Sequence, residues 1–162
     1  MTNEARKLCG YILITVPTII YGGYFLLTIL SGQQEHLQLT DFQKAMFRAG
    51  HAHAGVLVIL SLLIQLFADH ATLSHKWRWA ARLSFPIAAI AVSFGFFAAA
   101  TGKQITEPTA LIIVLYVGMA ILAFGLITLG NRSGEAEKRR RIGDTFCTAA
   151  ATVAQLSKRL QH

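Results

Sequence analysis

The sequence predicts an all-α integral membrane protein: a bundle of four transmembrane helices, followed by a cytoplasmic amphipathic helix. Of its 162 residues, 54% are hydrophobic and only 14% are charged, whereas a typical soluble domain is about 25% charged. Four windows contain no charged residue, namely 8–34, 49–68, 83–102 and 108–131. Each is long enough for a membrane-spanning helix, which needs about 20 mainly apolar residues. The pattern excludes a soluble enzyme, a secreted disulfide scaffold and a disordered chain.

The first span is expected at about residues 8–31. Arg6 and Lys7 precede it as they would in a signal peptide. The apolar run is too long for a signal peptide and lacks a small-x-small cleavage site, so we expect a retained helix. Pro17 should kink this helix, because its ring removes one backbone hydrogen bond.

The second span is expected at about residues 46–68, inside a longer helix. Thr40 and Gln43 have the spacing of a capping box, in which each residue bonds the backbone of the other. The helix should therefore begin near Thr40, about two turns before the span.

The third and fourth spans are expected at about 79–101 and 108–130. Pro86 should kink the third helix, and Pro108 is a favourable first-turn residue for the fourth. Gly118 and Gly125 lie one heptad apart, a spacing that lets another helix approach closely.

The tail, 132–162, forms a second region after the membrane domain, 1–131. Its apolar residues repeat at alternating spacings of four and three, which predicts an amphipathic helix after a basic linker. These residues are Ile142, Phe146, Ala149, Val153, Leu156 and Leu160. Such a helix could lie on the inner membrane surface or fold back on the loops, or it could self-associate or dock on a partner; disorder is the remaining alternative.

The positive charge is distributed as expected for a membrane topology, and we expect no nucleic-acid partner. With four spans, one side of the membrane holds twelve Lys and Arg residues and the other holds only Lys44, Arg48 and Lys103. By the positive-inside rule, both termini are then cytoplasmic.

A His-x-His pair, His51 and His53, is the main functional signal. Ionisable residues inside a membrane are costly and are therefore functional candidates, and histidine is the commonest metal ligand. Residues two apart on a helix diverge by about 200°, so the pair cannot chelate one metal ion. We interpret both as candidate haem or metal ligands serving different helix faces. The alternatives are a structural hydrogen bond, a contact with lipid headgroups and, for His51, proton transfer.

The two faces differ in chemistry. The His51 face also contains Arg48, Ser61, Gln65 and Asp69, and it should point into the bundle. The His53 face contains Leu57, Leu60, Ile64 and Phe67, and it should meet lipid, a neighbouring helix or a bound apolar cofactor. His51 is therefore the better candidate for an internal role.

Other polar residues should reach the depth of the histidines. Tyr24 on the first helix and Glu107 before the fourth are the candidate supporting groups outside the second helix. Glu107 could pair with Arg48 or accept a hydrogen bond from His51, or it could be a solvated loop carboxylate.

The segment Gly50-His51-Ala52-His53-Ala54-Gly55 resembles the His-x-His helix of haem-copper oxidase subunit one and of nitric-oxide-response membrane proteins. Small four-span relatives of those families share the layout over about 120 residues. The resemblance implies haem or copper ligands on opposite helix faces. The other three spans contain no histidine, so a second axial ligand would come from a homodimer or from Tyr24, Tyr116 or Met46.

Three functions remain open at this stage. The first is a small redox or metal-binding membrane protein, and the second is a non-catalytic subunit of a larger membrane complex. The third is a proton-coupled transporter acting as a dimer, for which the row Ser61, Gln65 and Asp69 is the support. No nucleotide-binding or catalytic-triad motif is present, and the balance is against an enzyme.

Overall fold

The computed structural model describes residues 1–33 and 38–131, together with Asp144. Within these ranges the chain contains four helices and no strand. They are α1 (Asn3–Leu30), α2 (Asp41–His70), α3 (His75–Ala99) and α4 (Ile112–Asn131). All four are long and apolar enough to cross a membrane. The predicted tail helix lies outside the described residues.

The helix starts follow local capping. Thr2 caps α1 by accepting a hydrogen bond from the Ala5 backbone N–H, which places the start one turn before the apolar run. Thr40 and Gln43 form the predicted capping box at the start of α2. The Gln43 amide also donates to the carbonyls of Ala100 and Gly102, at 3.0 and 2.9 Å. Gln43 thereby joins the start of α2 to the end of α3.

The prediction that Pro108 opens the fourth helix is wrong. The Thr109 backbone N–H donates to the Ala99 carbonyl at 2.9 Å, which ties this segment to the end of α3. In residues 109–114, three backbone N–H groups each donate to the carbonyl three residues earlier, as in a 3₁₀ helix. The helix α4 begins only at Ile112.

Successive helices are antiparallel, so the starts of α1 and α3 lie at the same end of the bundle as the ends of α2 and α4. Thr2 at the start of α1 contacts Asp69 at the end of α2, and Gln65 near that end contacts Arg82 in the second turn of α3. We call this side the Arg82 end. The opposite side, where α2 and α4 begin, is the Thr40 end.

The third helix is the centre of the bundle. Half of its most apolar stretch is buried, compared with 17%, 28% and 22% in α1, α2 and α4. It packs on α2 through Phe85, Ala89 and Val92, and on α4 through glycine contacts. A Cβ atom at Gly118 would lie 2.8 Å from the Val92 backbone nitrogen. Gly118 and Gly125 thus admit a neighbouring helix, as predicted.

Candidate functional site

His51 belongs to α2 and is half-buried, with its ring against α1. A Cβ atom at Gly23 of α1 would be 2.9 Å from Nε2 of His51 and 3.0 Å from its Cε1. The imidazole therefore occupies the space that a side chain on α1 would take. This contact packs Nε2 closely against the α1 backbone.

His53 lies on the exterior of the bundle. Its ring stacks at a tilt on Phe96 of α3, with 4.8 Å between the ring centroids. Its Nδ1 is 2.7 Å from the carbonyl oxygen of Ala49. A carbonyl oxygen only accepts hydrogen bonds, so Nδ1 carries the hydrogen. In the neutral ring, the lone pair is then on Nε2, which has no hydrogen-bond partner in the described ranges.

The two histidines flank the buried face of α2. That face draws residues from both predicted faces, with Ser61 and Gln65 from one and Leu57 and Ile64 from the other. The inward position of Ser61 and Gln65 is confirmed, whereas Arg48, which was predicted on the same inward face, is exposed. Neither histidine lies at the centre of the buried face, and among the described residues no three His, Cys, Asp or Glu side chains form a group that could hold a metal ion.

The supporting residues predicted near the histidines lie on the surface. Arg48, Tyr24 and Glu107 are all exposed. Arg48 and Glu107 are not paired with each other: the ion pairs within the described ranges lie elsewhere.

The polar row on α2 is bonded within the bundle. The hydroxyl of Ser61 donates to the Leu57 carbonyl at 2.7 Å. The amide of Gln65 donates to the carbonyls of Ser61 and Arg82, at 3.2 and 3.1 Å. Ser61 and Gln65 thus satisfy backbone acceptors at an interface between helices.

Asp69 belongs to an ionic cluster around a buried arginine, which the sequence analysis missed. Arg82 of α3 is fully buried, and its guanidinium binds Asp69 of α2 and Glu4 of α1. It also donates to the Thr2 hydroxyl at 3.0 Å, and Thr2 in turn bonds Asp69 through both its backbone N–H and its hydroxyl. We call these four residues the Arg82 cluster; it joins three helices.

A signal for this cluster was present in the sequence. Asp69 directly follows the uncharged window 49–68, and Arg82 directly precedes the window 83–102. Residues 69–82 join the two windows, so both flanking charges are expected at the same end of the bundle, within reach of a long arginine side chain. Counting Arg82 only among the charges that set topology concealed this pairing.

No family model, no curated protein and no solved structure matches this chain.

Proposed function

We propose that this chain is a membrane haem protein with an electron-transfer or redox-sensing role, and that His53 would ligate the haem. The observation that carries the proposal is the state of the His53 ring. Its Nδ1–H donates a hydrogen bond to the Ala49 carbonyl. In the neutral ring this leaves the lone pair on Nε2 to ligate a metal, on the exterior of the bundle. A histidine that ligates metal almost always donates its other ring N–H to a carboxylate, carbonyl or water in this way.

The ligand set favours haem over a bare copper ion. A protein site for a bare transition metal usually supplies three or four side-chain ligands, and the described residues bring no such group together. Haem needs only one or two axial ligands from protein. When bound, it supplies one-electron redox chemistry.

The exterior position of His53 also bears on the second axial ligand. A buried histidine could be reached only from within its own bundle, whereas an exposed one can face another protomer. We therefore propose a homodimer in which His53 of each protomer would help to hold one haem.

Replacing His53 with alanine tests the ligand. We expect the purified wild-type protein from haem-replete cells to have a Soret band. The haem content per protein of the variant should be lower by about tenfold or more. Loss of a mere outer-shell partner already costs about 10- to 100-fold in metal affinity. The measurement is the absorption spectrum combined with a haem assay.

His70→Ala is the matched control. His70 is also exposed on α2, and its Nδ1 bonds the Leu66 carbonyl at 2.9 Å in the same local geometry. It lies at the opposite end of the helix, so its removal should leave the haem content unchanged. Haem-free wild-type protein, or equal haem loss in both variants, would contradict the proposal.

We also infer that the Arg82 end faces the cytoplasm. Arg82 itself is buried and paired, which leaves eleven of the twelve basic residues on that side against three on the other. Because the difference remains large, the positive-inside rule still gives this orientation. A green fluorescent protein fused after His162 should fluoresce, and alkaline phosphatase fused there should be inactive. The reverse pair of results would overturn the orientation.

A further inference from the structure

The imidazole of His53 is held by two contacts of different kinds. In the plane of the ring, Nδ1 lies 2.7 Å from the carbonyl oxygen of Ala49. Against one face lies the ring of Phe96, with 4.8 Å between the two centroids and 32° between the two planes. Favourable pairs of aromatic rings have centroids about 4.5–7 Å apart, so the two rings are in contact. The hydrogen bond and the ring contact together restrict the rotation of the His53 side chain about both of its torsions.

Phe96 is itself held in place by packing. Its ring is half-buried and lies against a buried cluster that includes Leu57 and Val92. The backbone of α3 also comes close to α2 at this level, because a Cβ atom built at Gly50 would lie only 3.1 Å from the Cβ of Phe96. Gly50 precedes His53 by three residues, so the absence of a side chain at Gly50 lets the Phe96 ring reach the turn of α2 that carries His53.

His70 has the same hydrogen bond without the ring. Its Nδ1 lies 2.9 Å from the carbonyl oxygen of Leu66, four residues earlier on α2, just as Ala49 is four residues before His53. No aromatic ring stacks on His70 in the part of the chain that the structure describes. The ring contact is therefore the feature that distinguishes the surroundings of His53 from those of His70.

The position of the hydrogen on the imidazole decides whether Nε2 can ligate a metal. A neutral imidazole carries one hydrogen, and only the nitrogen without it has a free lone pair. In a free histidine side chain, the form with the hydrogen on Nε2 is the more populated, and that form cannot ligate through Nε2. The hydrogen bond made by the other nitrogen selects the form in a protein. A contact that keeps Nδ1 beside the Ala49 carbonyl therefore favours the form of His53 that can ligate.

We propose that Phe96 is a positioning residue for His53. Its ring holds the imidazole in the orientation in which Nδ1–H donates to the Ala49 carbonyl, and this keeps the lone pair of Nε2 available on the exterior of the bundle. The effect of Phe96 on the His53 ring requires no cofactor. Its importance for haem binding rests on the proposed function.

The first test uses the haem-free, full-length protein in lipid nanodiscs, with ¹⁵N-labelled histidine rings. Nitrogen NMR distinguishes a ring nitrogen that carries a hydrogen from one that does not, and His53→Ala identifies the signals of His53. Phe96→Leu removes the aromatic ring and keeps an apolar side chain. We expect the population ratio of the Nδ1–H form to the Nε2–H form of His53 to fall about two- to tenfold, as loss of one aromatic pair predicts.

Two further variants show whether the aromatic ring itself is responsible. Phe96→Tyr keeps an aromatic face and should preserve the wild-type ratio. Phe94→Leu is the matched control, because Phe94 is an exposed phenylalanine on the same helix and makes no ring contact within the described ranges. The signals of His70 should be the same in all variants. An unchanged His53 ratio in Phe96→Leu, or an equal fall in Phe94→Leu or Phe96→Tyr, would overturn the proposal.

Titration of haemin into the same samples, followed at the Soret band, tests the consequence for ligation. We expect Phe96→Leu to weaken haem binding about two- to tenfold, and Phe96→Tyr to bind haem as the wild-type protein does. A lower His53 ratio with an unchanged haem affinity would contradict the positioning role. If the wild-type protein binds no haem while the His53 ratio still falls in Phe96→Leu, the proposed function fails and the support of the His53 ring by Phe96 stands.

Discussion

Replacing Arg82 with alanine should destabilise the bundle by about 3–5 kcal/mol, the cost typical of removing one partner of a buried ion pair. Arg82 is fully buried and the Asp69 side chain is only 7% exposed, so the variant would leave a carboxylate in the protein interior without its counter-charge. Glu4 would lose the same partner. The hydrogen bonds that the guanidinium makes to residues of α1 and α2 would also be lost.

The measurement is thermal or denaturant-induced unfolding in detergent, followed by circular dichroism. Arg48→Ala is the matched control, because Arg48 is an exposed arginine on α2, and surface substitutions usually change stability by less than about 0.5 kcal/mol. The double variant Arg82→Met with Asp69→Leu should recover most of the loss, since a buried ion pair can often be replaced by apolar residues of similar volume.

Equal stabilities of Arg82→Ala and Arg48→Ala would contradict the role assigned to the Arg82 cluster. A double variant no more stable than Arg82→Ala would show that the loss comes from the hydrogen bonds that the guanidinium makes to Thr2 and Glu4. It would not then come from the unpaired carboxylate.

Replacing Gly95 with alanine should cost about 3 kcal/mol, the upper part of the range for overpacking a well-packed interior. The added Cβ would lie 2.5 Å from the backbone nitrogen of Leu115 and 2.7 Å from its Cα. A flexible side chain could move aside, but a helix backbone cannot do so without separating α3 from α4. In membranes, such close contacts between helices supply much of the association energy.

Gly55→Ala is the control for this substitution. Gly55 also lies inside a helix, α2, but a Cβ built there meets no atom within 4 Å. The change should be neutral or stabilising by up to about 1 kcal/mol, because alanine is the better helix former. Unfolding curves of the two variants, recorded in the same detergent, separate steric conflict from helix propensity. Equal stability of Gly95→Ala and the wild-type protein would contradict the close α3–α4 contact.

Much of the fold could be predicted because its determinants are local in the chain. The four apolar helices follow from the uncharged windows, and the start of α2 follows from the spacing of Thr40 and Gln43. The start of α4 could not be predicted in this way. Pro108 suits a helix start by its own conformation, but the bond from Thr109 to Ala99 holds the segment outside the helix.

The candidate site was predictable only in part. The spacing of His51 and His53 shows that they serve different sides of α2, and it identifies Ser61 and Gln65 as inward residues. It does not reveal that Gly23 of α1 packs against His51, or that Phe96 of α3 underlies His53. Those contacts depend on which helices are neighbours, and the apolar pattern of one helix does not specify the identity of the next.

The sequence by itself determined the helical class, the four apolar helices and the one pair of histidines that merits a functional test. These properties depend on the transfer of side chains between water and hydrocarbon and on capping within a few residues, so they are encoded locally. Only the tertiary structure decided that Arg82 is a buried partner of Asp69, that the His51 ring packs against Gly23 of α1, and that His53 stacks on Phe96 of α3. Each depends on distances between residues that are far apart in the chain, and packing of the helices sets those distances.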